Sequence, residues 1–272
     1  MKDGDSMLNV FLTKINFGWR LFATGLAFLT FGVGGLLLGT STFSILNLVT
    51  KEGEKREKKA QRLVQFFFSL FVGLLRVLGV AKVNYHGIEN LPSDPMAGQK
   101  GKLVIANHPT LIDVVVIISK MQSAQCIIKH ELFENFFLSK VVRGANYVRN
   151  DEDAEKLIDD CVEVLNSGRN LVIFPEGTRT PESQILKFRR GFAVIAERAG
   201  ADLVPVTIST NHRTLTKGSS WCHIPPERLE MNVNIHKAIS VNSVVAQDLP
   251  ASLKSRRISK YVLTFFFRKV DV

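Results

Sequence analysis

From Leu21 to Thr50 the chain carries no charged side chain, and Leu21–Gly39 is apolar almost throughout. An apolar run of about 20 residues is long enough to cross a bilayer as a helix. The segment must therefore span a membrane, lie in one, or be covered by the rest of the chain. A single span over residues 21–45 is the expected arrangement. The glycine-rich middle, Gly32 to Gly35, leaves a shallow re-entrant hairpin as the alternative. A cleaved signal peptide is disfavoured, because the stretch is long and no small-x-small site precedes the charged residues that follow.

Those charged residues, Lys51 to Arg62, comprise six basic and three acidic side chains. Basic excess beside a span marks the cytoplasmic side, so the remainder of the chain is expected to face the cytoplasm. Next comes an apolar run, Leu63–Val80. Lys58, Arg62, Gln65, Ser69 and Arg76 fall on one helical stripe, while Phe66, Phe67, Phe68 and Phe71 widen the apolar face. A helix over 57–80 with this pattern either lies in a bilayer interface or packs on a domain core. Near the C-terminus Ile258, Tyr261, Val262 and Phe265 share one helix face, and Arg257, Lys260 and Arg268 share another. That basic amphipathic helix suits a membrane surface or a docked position about equally.

The net charge is +10, from 35 basic and 25 acidic residues. Such a balance attracts nucleic acid or anionic lipid. Basic clusters flank the most apolar segments, which points to anionic membrane lipid. No zinc-finger spacing or aromatic RNA-binding motif is present to favour nucleic acid. Cys126, Cys161 and Cys222 are odd in number and widely spaced, which argues against a disulfide framework and fits a reducing compartment. No residue cluster has metal-ligand spacing.

From residue 83 onward strand-like and helix-like runs alternate. Strands are expected over Lys82–Tyr85, Lys102–Ala106, Gln125–Ile128, Asn146–Val148, Asn170–Phe174, Leu203–Ile208 and Met231–Ile235. Helices are expected over Thr110–Lys120, Glu131–Val141, Ala154–Ser167 and Phe192–Ala199, with Gly168 and Gly200 stopping the last two. The alternation defines an α/β fold, a layered mixed sheet flanked by helices, with an N-terminal membrane-embedded helical segment. The expected organisation is a membrane-anchoring helical region over 1–82, an α/β domain over 83–240 and a C-terminal amphipathic basic helix over 241–272.

Two of the strands end in polar turns. Val104-Ile-Ala-Asn-His108-Pro-Thr-Leu-Ile-Asp113 places a histidine five residues before an aspartate, and Leu171-Val-Ile-Phe-Pro-Glu176-Gly-Thr-Arg179 supplies a carboxylate, a glycine, a hydroxyl and an arginine. Pro109 suits the first turn of a helix. Helical side chains lean toward the N-terminus, so Asp113 is expected to reach back to the His108 imidazole from about one turn into a helix. Together the motifs suggest deprotonation of an alcohol beside a bound phosphate.

His108–Asp113 resembles the HxxxxD motif of the glycerolipid acyltransferases, the family of lysophosphatidic acid acyltransferase. Phe174–Arg179 resembles that family's FPEGTR motif, and Val204-Pro205-Val206 its later apolar-proline motif. The resemblance covers roughly residues 83–240. It implies transfer of an acyl group from a thioester, carried on coenzyme A or acyl carrier protein, to the hydroxyl of a lysophospholipid acceptor, with no cofactor and no metal. His108 would be the general base and Asp113 its orienting partner. Direct attack by the acceptor is implied, without an acyl-enzyme; Thr110 is the nearest candidate nucleophile, set against a hydrogen-bonding role. Backbone N–H groups after His108, or at Gly177, are candidate oxyanion donors. Glu176, Gly177, Thr178 and Arg179 would bind the acceptor, or Glu176 and Arg179 would form a structural ion pair.

Lys129, at a strand end, and the cluster Lys187, Arg189 and Arg190 are further candidate phosphate ligands. For both, ordinary solvated charge is the competing reading. The family's second motif usually reads Gly-x-Ile-Phe-Ile-Asp-Arg, whereas this chain has Gly144-Ala-Asn-Tyr-Val-Arg149-Asn150. The Asp is absent, and Arg149 matches the family Arg only across a one-residue deletion. The acceptor is accordingly open: glycerol 3-phosphate, a specialised glycolipid or an amino lipid are alternatives, and a non-catalytic lipid-binding protein is a more remote one.

Overall fold

The computed structural model describes residues 2–51, 53–96, 98–150, 153–177, 187–212, 214–215, 220–246 and 248–269, with side chains in the first helix from Leu12 onward. The chain opens with helix α1 (Lys2–Leu37), a π-helical turn (Leu38–Thr42) and α2 (Phe43–Val49), followed by α3 (Glu54–Val77). The α/β region then runs β1 (Ala81–His86), β2 (Leu103–Ala106), α4 (Asp113–Ile118), β3 (Ala124–Lys129), α5 (His130–Glu134), α6 (Ser139–Gly144), β4 (Val148–Asn150) and α7 (Ala154–Asn166). It continues with β5 (Asn170–Ile173), α8 (Gly191–Ala199), β6 (Leu203–Thr210), β7 (Leu229–Ile235), α9 (Val241–Val244) and α10 (Ala251–Lys269).

All the expected strands are present, in a seven-stranded sheet ordered β1-β7-β6-β2-β5-β3-β4. From β6 to β4 every pairing is parallel. β7 runs antiparallel to β6 and parallel to β1. The sheet is buried on both faces, so β2 and β5 read as continuous apolar runs rather than alternating ones. One face packs against α1 to α6 and the other against α7 to α10. The carboxyl ends of the parallel strands form one edge, and β1 and β7 start at that same edge.

The long apolar helix meets this edge near its middle. Trp19 Nε1 donates to Leu78 O at 3.1 Å and Arg20 donates to Pro226 O at 2.5 Å, just before β1 and β7 begin. N-terminal to this point Leu12 to Trp19 are exposed on every side. From Ala23 to Phe43 the helix instead lies along the domain. It runs unbroken through Gly32–Gly35. A Cβ at Gly35 would come within 2.8 Å of Leu138 Cδ2, and one at Gly39 within 2.8 Å of Lys140 Cβ. These glycines serve close helix–helix approach rather than a hairpin turn.

α3 returns antiparallel to α1, with Phe31 stacked on Phe68 and edge-on to Phe71 at centroid distances of 6.1 and 4.9 Å. An apolar cavity of about 360 Å³ lies between these helices, lined by Phe31, Phe67, Phe68, Phe71, Leu74 and Leu138 among others. Two residues of the polar stripe on α3, Gln65 and Ser69, are turned inward, while Arg62 and Arg76 stay exposed. Gln65 and Ser69 both donate to Ser119 O, at 3.0 and 2.7 Å, and Gln61 donates to Ala145 O at 3.0 Å. Carbonyls at the ends of α4 and α6 need donors once covered by α3, and these side chains supply them. The outward face carries Phe66, Leu70 and Val77, all more than half exposed.

Of the two arrangements open to the C-terminal helix, the docked one is adopted. Ile258, Val262 and Phe266 are fully buried, and Phe266 packs edge-on against Phe188 at 5.1 Å. Two helix boundaries differ from expectation. The helix expected from Thr110 starts at Asp113. The one expected over Glu131–Val141 is two helices, because Asn135 Oδ1 accepts from Phe137 N and Leu138 N at 3.0 and 3.1 Å and turns the chain between them. The strand expected over Asn146–Val148 lies two residues later, since Asn146 adopts a left-handed conformation (φ 52°) before it.

Candidate active site

β2 and β5 are adjacent and parallel, so the turns that follow them lie side by side at the carboxyl edge of the sheet. Open α/β sheets bind ligands outside this edge. The first turn carries His108 and Asp113. His108 Nδ1 lies 2.8 Å from Asp113 Oδ2. Asp113 also accepts from Thr110 N at 2.7 Å and from the Thr110 hydroxyl at 2.6 Å. The carboxylate is fully buried and opens α4, so its reach back toward His108 crosses a turn rather than a helical turn already formed. With backbone N–H and hydroxyl donors converging on it, it acts as acceptor and places the imidazole hydrogen on Nδ1. Nε2 then carries the lone pair. Burial pushes the Asp113 carboxyl up from its ordinary value, and the bonds from His108 and Thr110 act against that rise.

The second turn supports the first. Glu176 is 9% exposed, and its Oε1 accepts from His108 N at 2.8 Å. The Phe174 ring lies against the imidazole, with centroids 4.4 Å apart. Glu176 thus holds the backbone of His108. Removing it by Glu176→Ala leaves the His108 N–H without its carboxylate acceptor and is expected to cost about 1–3 kcal/mol in urea denaturation. Glu176→Gln keeps an acceptor oxygen and is expected to recover most of that loss. Gly177 sits at φ +72°, and a Cβ there would meet Arg189 Nε at 2.9 Å. The Arg189 side chain therefore packs over the second turn, and its backbone N donates to Pro175 O at 2.7 Å.

Several of the expected oxyanion donors are already engaged. His108 N bonds Glu176, Thr110 N bonds Asp113, Gly177 N bonds Phe174 O at 3.0 Å, and Pro109 has no N–H. Thr110 is fully buried and bonded to Asp113, so the hydrogen-bonding role is the one it fills. Cys126 and Cys161 are free thiols pushed up to about 12 by burial, which leaves them protonated and poor nucleophiles. Among the described residues no group of His, Cys, Asp and Glu could hold a metal ion.

The structure therefore brings His108, Asp113, Glu176, Gly177 and Arg189 together. Thr178 and Arg179 lie outside the described residues. Lys129 ends β3, one strand beyond β5, and Arg149 lies in β4 at the sheet margin, opposite Ile128. At about 4.8 Å per strand they stand roughly 10 and 14 Å from β2 along the same edge. The Arg149 guanidinium lies 6.0 Å from the Phe133 ring centroid. Lys187 is exposed on the approach to Arg189. Sequence reasoning misses Asn107. Its amide imitates a strand, donating to Ile208 O at 2.8 Å and accepting from Ile208 N at 2.7 Å, and so pins the peptide before His108 to β6. Its place at the strand end is the only signal the sequence offers.

The fold places a His–carboxylate pair at the carboxyl edge of an open α/β sheet, where such folds bind ligands. Residues 82–209 match the family model Acyltransferase, and this region is an acyltransferase-family domain. A chloroplastic 1-acyl-sn-glycerol-3-phosphate acyltransferase of Arabidopsis thaliana is 27% identical over 142 residues, 51% of this chain and 39% of that protein. A 1-acyl-sn-glycerol-3-phosphate acyltransferase of Helicobacter pylori is 33% identical over 113 residues, 39% of this chain and 48% of that protein. The matches thus span about half or less of these relatives' lengths. The crystal structure of the 1-acyl-sn-glycerophosphate acyltransferase PlsC of Thermotoga maritima superposes with a TM-score of 0.73 at 22% identity, covering 94% of this chain and 95% of that one, which establishes a shared fold.

Proposed function

We propose that the chain is a membrane-bound O-acyltransferase that moves a fatty acyl group from a thioester to the hydroxyl of a lysophospholipid such as 1-acylglycerol 3-phosphate. The observation that carries this reading is the 2.8 Å contact between His108 Nδ1 and Asp113, which turns Nε2 into the basic atom. Nε2 takes the acceptor's hydroxyl proton as its oxygen attacks the thioester carbonyl. The imidazolium is stabilised by Asp113. Collapse of the tetrahedral intermediate breaks the C–S bond, and the departing thiolate recovers the proton, leaving an ester and a free thiol. Arg189, and Arg179 by resemblance, are the natural partners of the acceptor's phosphate.

Membrane attachment is assigned to α1 and α3. Both are long and apolar enough to cross a bilayer by length and composition. The segment from Leu12 to Trp19 projects past the sheet edge that bears His108, and inserting it brings that edge to the lipid surface. The apolar cavity between α1 and α3 offers room for an acyl chain.

The test is acyl transfer by membranes containing the protein, with acyl-coenzyme A and acyl-carrier protein each offered against a panel of lysolipids and glycerol 3-phosphate. Product on lysophosphatidic acid that disappears in His108→Ala is expected. Absence of product from every pair, in a folded preparation, overturns the reading. A second acceptor is favoured by one specific observation, the missing Asp of the Gly144–Asn150 motif. Product confined to another acceptor selects it and leaves the chemistry intact.

A further inference from the structure

We infer that the last turns of α10, with the segment 187–190, form a second membrane contact that recognises anionic lipid headgroups. The inference extends the membrane-bound reading to the face of the sheet opposite α1 and α3. Three observations carry it.

The first is position. Lys254 at the start of α10 lies 4.0 Å from Glu197 near the end of α8, while Phe266 near its end packs on Phe188 and reaches α8's first turn through it. The helices are therefore antiparallel. α8 begins at the carboxyl edge, because Arg189 beside it bonds Pro175 in the turn after β5. α10 consequently ends at the edge that carries His108, the same edge that α1 overshoots with Leu12 to Trp19.

The second is charge. Lys187, Arg189 and Arg190 are exposed next to Phe188 in the chain, and Arg268 and Lys269 are exposed just after Phe266, the ring that Phe188 contacts. Neither Lys187–Arg190 nor the whole of α10 contains an acidic residue.

The third is the apolar component. Phe267 stands 42% exposed among these cations although its neighbour Phe266 is fully buried. Cations with an exposed aromatic ring at a membrane-directed edge fit a surface of anionic headgroups, where each basic residue is worth about 1 kcal/mol and the ring enters the interface. An acidic protein partner would use the charges but leave the ring's exposure unexplained.

The experiment uses the full chain with Cys222→Ser. Cys222 is the exposed cysteine, and Cys126 and Cys161 are buried. An environment-sensitive fluorophore is attached at Phe267→Cys, at Ser252→Cys on the far end of α10, or at Phe22→Cys on α1, which is 62% exposed in its native form. Vesicles are phosphatidylcholine alone or an equal mixture with phosphatidylglycerol. A blue shift at position 267 with the anionic vesicles only, reduced by Arg268→Gln/Lys269→Gln, and no shift at position 252, is expected. A shift at 22 without one at 267 overturns the inference and leaves α1 attachment standing. Equal shifts at 267 on both vesicle types overturn headgroup recognition. Shifts at both 252 and 267 overturn the end-on geometry in favour of a helix lying flat. No shift at any position sinks this inference together with the membrane-bound reading.

Discussion

His108→Ala is expected to lower kcat/KM for acyl transfer by about 10²–10⁴, the usual contribution of a positioned general base. On the proposed mechanism the loss should fall on kcat, since the imidazole would act in the transition state and other groups would hold the acceptor's phosphate. The fold should survive. Asp113 keeps both bonds from Thr110, and its carboxyl can take up a proton when the imidazole is gone, a change that burial already favours. The His108 backbone N–H still reaches Glu176. An unchanged urea midpoint beside a collapsed kcat is therefore the expected pair of results. A folded variant that keeps more than a tenth of wild-type kcat/KM, or one whose loss lies wholly in KM, removes His108 from the role of base.

The strands are legible because each is a short β-branched run bounded by residues that stop it, and because both faces of the sheet are covered. Val104 and Ile105, and Val172 and Ile173, announce buried parallel strands without any alternation to read. α7 is legible for a different reason: Gly168 ends it, and the structure adds a cap at its start, where Asp153 accepts from Glu155 N and Lys156 N at 3.0 and 3.1 Å. What escapes the sequence is any contact between distant turns. Nothing near Glu176 in the chain shows that its carboxylate is bound to the backbone of His108, and nothing near Asn107 points to Ile208. The same limit applies to α3. Gln65 and Ser69 belong to a polar stripe that continues into the exposed Arg62 and Arg76, and only the buried carbonyl of Ser119 on another element turns these two inward. The pairing of His108 with Asp113 is legible as a spacing, but Thr110's part in fixing it depends on the turn that its own hydrogen bonds create.

That turn allows the charge of Asp113 to be separated from its geometry. Oδ2 accepts from both His108 Nδ1 and Thr110 N, while among the described residues Oδ1 accepts only from the Thr110 hydroxyl. In Asp113→Asn the amide oxygen can occupy the Oδ2 position and keep both N–H donors. Its NH₂ then faces the Thr110 hydroxyl, which can rotate to accept. The imidazole tautomer is preserved and only the negative charge is lost. An imidazolium and a carboxylate about 4 Å apart at an effective dielectric constant near 20 interact by about 4 kcal/mol, so a fall in kcat/KM of up to about 10³ is expected. Thr110→Val alone removes a hydrogen bond from a carboxylate that keeps two others, and should cost far less. Combined with Asp113→Asn it removes the only acceptor for the new NH₂. The amide must then bury an unsatisfied donor or turn it toward His108. In the second case Nδ1 becomes an acceptor, the hydrogen moves to Nε2, and the base is lost. Turning also sets the NH₂ against the Thr110 N–H, so the double variant should fall below the product of the two single effects, reaching the level of His108→Ala only where the amide turns. Equal kcat/KM for Asp113→Asn with and without Thr110→Val would mean that Thr110 has no part in setting the tautomer, and that Asp113 acts on His108 through charge alone.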